Sequence, residues 1–174
     1  PILLVQTVEN GSEQPLPTPK FQHILIALDG SVFSEQALPF ARALGKAFHS
    51  HLTLLSVPAV PESINYRAPA EIINTIRGKA VTNMQKFVNT IASSLRNDDL
   101  NVQTLVTGSM PARTIVETAD QRNADLIMIT SQARGALDLF FMGSVAQLVV
   151  QNSAKPVLIV PINKEIDVLP VITS

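Results

Sequence analysis

Five short, mainly apolar runs recur along the chain after residue 21, without a strict alternation of apolar and polar residues. They are 24–28, 52–57, 102–106, 126–129 and 157–160, and they are rich in β-branched residues and bounded by Gly or Pro. Continuous apolar runs of this length are typical of parallel strands that are buried on both faces. The pattern therefore predicts five buried strands.

The segments between these runs have helical periodicity. Apolar residues recur at helical spacing over 34–48, 69–95, 111–122 and 143–152, which predicts four helices. Pro111 suits a first helical turn, and Val145, Leu148 and Val149 are the predicted buried face of the last helix. Five strands alternating with four helices predict an α/β fold: a doubly wound, five-stranded parallel sheet with helices on both faces.

The pattern also predicts how the chain is divided. Residues 21–162 form the predicted domain, 163–174 a C-terminal tail, and the Pro-rich residues 9–20 a linker. The first residue is Pro1, so we expect the chain to begin after a cleavage or inside a longer product. Pro1–Val5 repeats the pattern of Pro156–Val160. This likeness has two interpretations. Residues 1–8 contain the last strand of a preceding, similar domain, or the two apolar pentamers are alike by chance.

Composition narrows the classes of protein. Apolar residues make up 46% and charged residues 16%, which excludes a disordered chain. The formal net charge of −1 provides no broad attraction to nucleic acid or to an anionic membrane. There is no cysteine and no apolar run of about 18 residues. We expect no signal peptide, because the first apolar stretch, 2–5, has no basic flank. We expect a cytoplasmic protein that binds neither nucleic acid nor membrane.

Candidate chemistry lies where the predicted strands end, because doubly wound sheets bind ligands beyond the carboxyl ends of their strands. Asp29 follows the first strand and can accept hydrogen bonds from a ribose, help to hold a cation, or cap the following helix through Ser31. The segment 130–135 follows the fourth strand, and Gly143-Ser144 begins the last helix. Free amides at a helix start, a serine hydroxyl and a nearby arginine together form an anion site.

Several stretches resemble the universal stress protein family. The opening 23–31, with Ser34 and Ala37, the strand 124–129, Gly143–Val145 and the closing 155–161 all match in order and spacing across about residues 21–162. The resemblance implies the family's adenine nucleotide alpha hydrolase-like fold and a role in the stress response. It also implies a homodimer, or a tandem-domain pair, joined through the last strand. We therefore expect a strand at residues 2–5 to lie against 157–160.

The resemblance implies a nucleotide site with an altered phosphate loop. The family's ATP-binding branch has Gly, two residues, Gly, nine residues, then Gly and Ser or Thr; here Thr130 and Ala133 replace the first two glycines and Gly143-Ser144 matches the end. By resemblance the ligand is ATP, with Mg²⁺ as a possible companion. The resemblance implies that Asp29 and the backbone of Ser56 and Val57 contact the nucleoside. It implies that Arg134, Gly143 and Ser144 contact phosphate and that Gly108 shapes the adjoining loop.

Two functions remain open at this point. In the first, the domain binds ATP or a related adenine nucleotide and acts as a stress-response regulator. In the second, it is a nucleotide-free dimerisation or interaction module with a degenerate phosphate loop. An enzyme is not expected, because no nucleophile, base or metal set converges on the crevice. The three histidines lack metal-site spacing and are interpreted as surface or structural residues.

Overall fold

All five predicted strands are present in the computed structural model, which describes residues 1–5, 20–58, 69–131 and 143–162. A short strand, β1 (Ile2–Leu4), precedes them. The five are β2 (His23–Leu28), β3 (His51–Ser56), β4 (Asn101–Val106), β5 (Leu126–Ser131) and β6 (Val157–Pro161). The five predicted strands are mutually parallel, and each boundary lies within two residues of the predicted one. The prediction of five buried strands is wrong for β4, which lies at the edge of the sheet and has Val102 as its only buried residue.

The four predicted helices are also present, with one change. They are α1 (Leu38–Phe48), α2 (Ala70–Arg96), α3 (Pro111–Gln121) and α4 (Ser144–Asn152). The first was predicted to begin at Ser34, but residues Ser34–Ala37 form a 3₁₀ helix instead. Pro39 lies in the first turn of α1 and has no amide hydrogen to continue an α-helical ladder from residue 35. The helix therefore begins again at Leu38.

The sheet order is β1-β6-β5-β2-β3-β4. The strands β2 to β6 are mutually parallel, while β1 pairs antiparallel with β6. From β2 the chain moves outward to β3 and β4, then crosses back to β5 on the other side of β2. The strand order consequently reverses between β2 and β5, and a crevice is expected beyond their carboxyl ends.

Each face of the sheet carries its own apolar core, which explains the continuous apolar runs. One core packs α1 and α2 on Ile24, Ile26, Leu54 and their neighbours, and the other packs α3 and α4 on the alternate strand residues. The predicted face of α4 is wrong in one place: Ala146 and Val149 are buried, whereas Leu148 is 48% exposed. In α2, Ile72 of the predicted stripe is also exposed, because the helix extends beyond the core there.

Some predictions lie outside the described residues. They concern the linker 9–20 apart from Lys20, the tail 163–174, and the loop residues Ala133 and Arg134. None of the helices in the described ranges is both long and apolar enough to cross a membrane.

A hydrogen-bond network at the amino ends of the strands contains His23. Its Nδ1 lies 2.9 Å from the Arg122 carbonyl oxygen and its Nε2 lies 2.8 Å from Thr53 Oγ1. The Asp125 carboxylate accepts bonds from the backbone amides of Gln22 and His23. Because a carbonyl can only accept, Nδ1 donates, and the neutral ring accepts from the threonine hydroxyl through Nε2. His23 is thus a structural residue at the end of the sheet opposite the crevice.

Stability should fall as the medium is acidified through the titration of His23. Burial lowers the pKa of the His23 imidazole below its ordinary value of 6.5, and the nearby His51 ring adds to the effect, against the opposing influence of the Arg122 carbonyl and Asp125. The unfolded chain therefore takes up the proton first, so this contribution is complete above about pH 6.5 and is lost as pH falls through the lowered folded-state pKa. Urea midpoints between pH 7.5 and 5 will measure it.

The matched variants are His23→Gln and His49→Asn. His23→Gln should flatten the fall of the urea midpoint with falling pH. His49→Asn is the control and should leave that fall unchanged, because it replaces an exposed histidine whose left-handed conformation asparagine tolerates. The attribution to His23 is wrong if His23→Gln loses as much stability as the wild type over this pH range.

Candidate functional site

A cleft of about 450 Å³ lies at the reversal of strand order, beyond the carboxyl ends of β2, β3 and β5. This volume is in the range of small-molecule and cofactor sites. The cleft is lined by both polar and apolar residues. The lining residues are Ala27, Leu28, Asp29, Ser34, Leu55, Val57, Met84, Pro111, Ile115, Ile129, Thr130, Ser131, Gly143, Ser144, Val145, Ala146 and Ile162.

Asp29 closes the turn after β2 and also lines the cleft. Its Oδ1 accepts hydrogen bonds from the Ser31 amide (2.9 Å) and the Ser31 hydroxyl (2.6 Å), which closes the turn after β2. Gly30 in that turn has a φ of +84°, and a side chain there would meet Met84. Within the described residues, Oδ2 has no hydrogen bond. Asp29 therefore stabilises the turn after β2 through Oδ1. Its Oδ2 is left without a bond within the described residues, and the residue lines the cleft.

The start of α4 faces the cleft, and no side chain of the described residues caps it. Gly143 is the N-cap residue, and it has no side chain to accept a bond from the first amides. The first residues of the helix, Ser144, Val145 and Ala146, all line the cleft. Unpaired amides and the positive end of the helix dipole favour an anion at such a position. The predicted Gly143-Ser144 helix start thus lies where a phosphate can reach it.

Ser131 provides a further polar group in the cleft. It is the last residue of β5, its side chain is only 3% exposed, and its Oγ has no hydrogen-bond partner among the described residues. A buried hydroxyl without a partner costs about 1–3 kcal/mol. Such an atom in a cleft wall indicates a place where a bound polar group completes the bonding. The sequence reasoning included Ser131 in the loop but did not select it.

The other predicted contacts are divided between the cleft and its surroundings. Val57 and Thr130 line the cleft, and Thr130 pairs with Val160 inside β5, so it keeps an extended conformation where the motif has glycine. Ser56 lies outside the lining. Its buried hydroxyl donates to Met84 Sδ at 3.3 Å, and its carbonyl accepts from the Thr107 amide.

Gly108 also lies outside the lining, in the loop that leads to Pro111. Its φ is +80°, and an added Cβ would lie 2.3 Å from Thr114 Oγ1 and 2.6 Å from its Cγ2. Only glycine fits this close approach without strain. Because Pro111 lines the cleft, Gly108 sets the position of one wall. Ala133 and Arg134 lie outside the described residues.

The apolar wall includes residues that the sequence reasoning did not choose. Met84 comes from the middle of α2, and Ile115 from α3. Met84 is one of the apolar residues at helical spacing in 69–95, which predicts that it faces the core. The contact between Met84 and the turn of Gly30 depends on how α2 crosses the sheet. Met84 could therefore be found as a core residue from sequence, but not as a cleft residue.

The arrangement suits a ligand with an apolar body, a hydroxylated middle and an anionic end. Apolar side chains form one wall, Asp29 offers a carboxylate oxygen for a hydroxyl, and α4 offers amides for an anion. Within the described residues, no three His, Cys, Asp or Glu side chains are grouped so as to hold a metal ion. Ligands of doubly wound sheets commonly bind in a crevice at this position.

Comparison with known proteins agrees with this fold and crevice. The sequence profile of the universal stress protein family matches residues 20–161. The chain belongs to the universal stress protein family. The universal stress protein YxiE of Bacillus subtilis is 29% identical over 146 residues, which cover 80% of the chain and 99% of that protein.

Two solved structures of this family share the fold. A Methanocaldococcus jannaschii universal stress protein has a TM-score of 0.71 at 25% identity, covering 83% of the chain and 98% of that protein. The universal stress protein of Archaeoglobus fulgidus in complex with dAMP has a TM-score of 0.56 at 21% identity, covering 80% and 98%. The predicted family and fold are confirmed.

Proposed function

We propose that this universal stress protein binds an adenine nucleotide in the cleft and acts as a nucleotide-dependent stress-response regulator in the cytoplasm. The observation that carries the proposal is the juxtaposition of three groups around one cleft. They are the second Asp29 oxygen, the start of α4 and the Ser131 hydroxyl, none of which has a side-chain partner in the described ranges. The Archaeoglobus fulgidus relative that binds dAMP supports the choice of an adenine nucleotide.

The residues present fit a nucleotide with its phosphates at α4. The ribose hydroxyls would meet Asp29, and the base would lie against the wall formed by Val57, Leu55 and Ile129. The phosphates would accept bonds from the Ser144 and Val145 amides. Arg134 would contact the same phosphates, as the resemblance of the sequence to the family implies. Asp29 is the acidic residue in the cleft lining that can approach a Mg²⁺ carried by ATP.

Calorimetric titration with ATP, ADP and AMP, each with and without Mg²⁺, tests this proposal. We expect saturable binding and a rise in the thermal unfolding midpoint with ligand concentration, since a ligand that binds only the folded state stabilises it. Absence of heat and of stabilisation at millimolar nucleotide would reject the proposal. Phosphate release measured in the same samples tests the further expectation that the protein binds the nucleotide without acting as an enzyme.

Replacing Ser131 by alanine should separate ligand binding from stability. The change removes a buried hydroxyl that has no partner among the described residues, so the free protein should gain up to about 1 kcal/mol of unfolding free energy. Nucleotide affinity should fall about tenfold, the equivalent of one lost hydrogen bond to a charged group. Urea unfolding and calorimetry on the same variant measure the two effects.

Ser50→Ala is the matched control for this variant. Ser50 is equally buried at 3% exposure, but its hydroxyl donates to the Phe21 carbonyl at the other end of the sheet. Alanine there should lower stability and leave nucleotide affinity unchanged. If Ser131→Ala behaves like Ser50→Ala, the Ser131 hydroxyl already has a structural partner and is not a ligand contact.

The alternative is a nucleotide-free interaction module, and the altered phosphate loop favours it. Thr130 causes no backbone strain, so the critical replacement is Ala133. Ala133→Gly should strengthen nucleotide binding if the alanine methyl narrows the loop. If neither the wild type nor Ala133→Gly binds nucleotide, the module is the better description.

A further inference from the structure

The thioether of Met84 lies in the cleft wall, where three elements of the fold meet. Met84 belongs to α2, and its half-buried side chain lines the cleft. Its Sδ accepts a hydrogen bond of 3.3 Å from the Ser56 hydroxyl at the end of β3. In the turn after β2, a Cβ added to Gly30 would lie 2.9 Å from that Sδ and 2.8 Å from the Cε. The sulfur is therefore packed between the turn and the strand end.

The environment of Met84 differs from that of the other methionines in the described part of the chain. Met128 is fully buried in the core, and Met110 is 58% exposed at the start of α3. Met84 is reached through the cleft, yet it is packed against the turn that contains Asp29. Thioether sulfur is readily oxidised to the sulfoxide when an oxidant can reach it. Met84 thus combines access for a small oxidant with contacts that depend on its apolar form.

One oxygen atom added to Sδ would disturb these contacts. The 3.3 Å between Sδ and the Ser56 Oγ leaves no room for an oxygen between the two atoms. On another side of the sulfur, the oxygen has to fit against the Gly30 turn, or the side chain has to rotate away from both contacts. Asp29 closes the same turn through its bonds to Ser31. A displaced turn therefore moves the Asp29 carboxylate in the cleft.

We propose that Met84 is an oxidation site for hydrogen peroxide and related two-electron oxidants, and that its sulfoxide displaces the Gly30 turn and weakens nucleotide binding. A lone pair of Sδ attacks one peroxide oxygen, so that the S–O bond forms as the O–O bond breaks. The leaving hydroxide takes the proton of the transferred hydroxyl and departs as water. The thioether is oxidised to the sulfoxide and the peroxide is reduced. The effect on binding rests on the proposed function, whereas the displacement of the turn does not.

Peroxide titration of the full-length protein, read by peptide mass spectrometry, tests the modification itself. Met110 should be oxidised readily because it is exposed, Met84 should also be oxidised, and the fully buried Met128 should remain unmodified. Absence of Met84 sulfoxide at a peroxide concentration that oxidises Met110 completely would overturn the proposal. So would global unfolding on oxidation, seen by circular dichroism, because the proposed effect is confined to the turn.

Urea unfolding and calorimetric titration with ATP, before and after peroxide, test the consequence. The variant Met110→Leu with Met142→Leu isolates Met84, and the same variant with Met84→Leu added is the matched control. Peroxide should lower the urea midpoint of the first variant and weaken its ATP binding about tenfold. Both values of the control should be the same before and after peroxide.

The same measurements separate this proposal from the proposed function. If the reduced protein binds ATP, an unchanged affinity after Met84 oxidation overturns the role of the sulfoxide. If the reduced protein binds no nucleotide, the proposed function fails, and the urea midpoint decides whether the sulfoxide displaces the turn: an unchanged midpoint overturns it. An equal loss after peroxide in the Met84→Leu control would also overturn the assignment to Met84.

Discussion

Replacing Gly143 by aspartate should weaken nucleotide binding by about 10- to 100-fold, equivalent to about 1.4–2.7 kcal/mol, while the fold stays at least as stable. The residue is the N-cap of α4, with φ −55° and ψ 148°, which an aspartate N-cap adopts without strain. An added Cβ meets no atom of the described residues within 4 Å. The new carboxylate would bond the first amides of the helix and occupy the position of the phosphate.

The two effects have opposite signs, which makes the variant informative. Capping and the loss of glycine flexibility should raise the unfolding free energy by about 0.5 kcal/mol. Gly143→Asn is the matched control, because it also caps the helix but carries no charge. We expect its affinity loss to be smaller than that of the aspartate. Equal affinity in wild type and Gly143→Asp, measured by calorimetry, would show that the phosphates lie elsewhere.

Gly108→Ala should destabilise the protein by about 2 kcal/mol and weaken nucleotide binding as well. Part of the loss is the strain of placing alanine at a φ of +80°. The rest comes from Thr114, whose Oγ1, Cγ2 and Cβ all lie within 3.0 Å of an added Cβ, so that side-chain rotation cannot relieve the contact. The loop must move, and Pro111 at the cleft wall moves with it. Urea unfolding and nucleotide titration measure both losses.

Gly78→Ala is the control for this substitution and should have the opposite sign. Gly78 is exposed in the middle of α2, and an added Cβ meets nothing within 4 Å. Alanine should therefore stabilise the helix by about 0.5–1 kcal/mol. If Gly108→Ala is as stable as Gly78→Ala, the loop before α3 does not depend on glycine and its role in shaping the cleft is wrong.

The cleft contains two local arrangements that lower the stability of the free protein. The helix α4 begins without a side-chain cap, and Ser131 holds a buried hydroxyl without a partner in the described part of the chain. We expect a single substitution to raise the unfolding free energy at either place, Gly143→Asp at the helix start and Ser131→Ala at the buried hydroxyl. Their coincidence around one cleft is the reason for treating them as ligand-binding features, because binding sites retain groups that only a ligand satisfies.

The sequence by itself determined the strands and helices of this fold and the part of the site formed by Asp29 and Gly143-Ser144. Apolar runs such as 24–28 specify strands buried on both faces, because every residue of such a strand must be apolar when helices cover both sides. Gly143-Ser144 at a helix start and Asp29 at a strand end also follow from local sequence. Hydrophobic periodicity, caps and turns depend on neighbours along the chain, so the sequence reports them directly.

Only the tertiary structure decided which residues meet across the fold. Three features depend on the packing of helices on the sheet: Ser131 has no partner among the described residues, Gly108 touches Thr114, and Leu148 is exposed. The likeness of residues 1–5 to 156–160 was visible in the sequence, and the predicted position of β1 against β6 is confirmed. The register of that pair was not visible, because strand pairing is set by contacts between residues more than 150 positions apart.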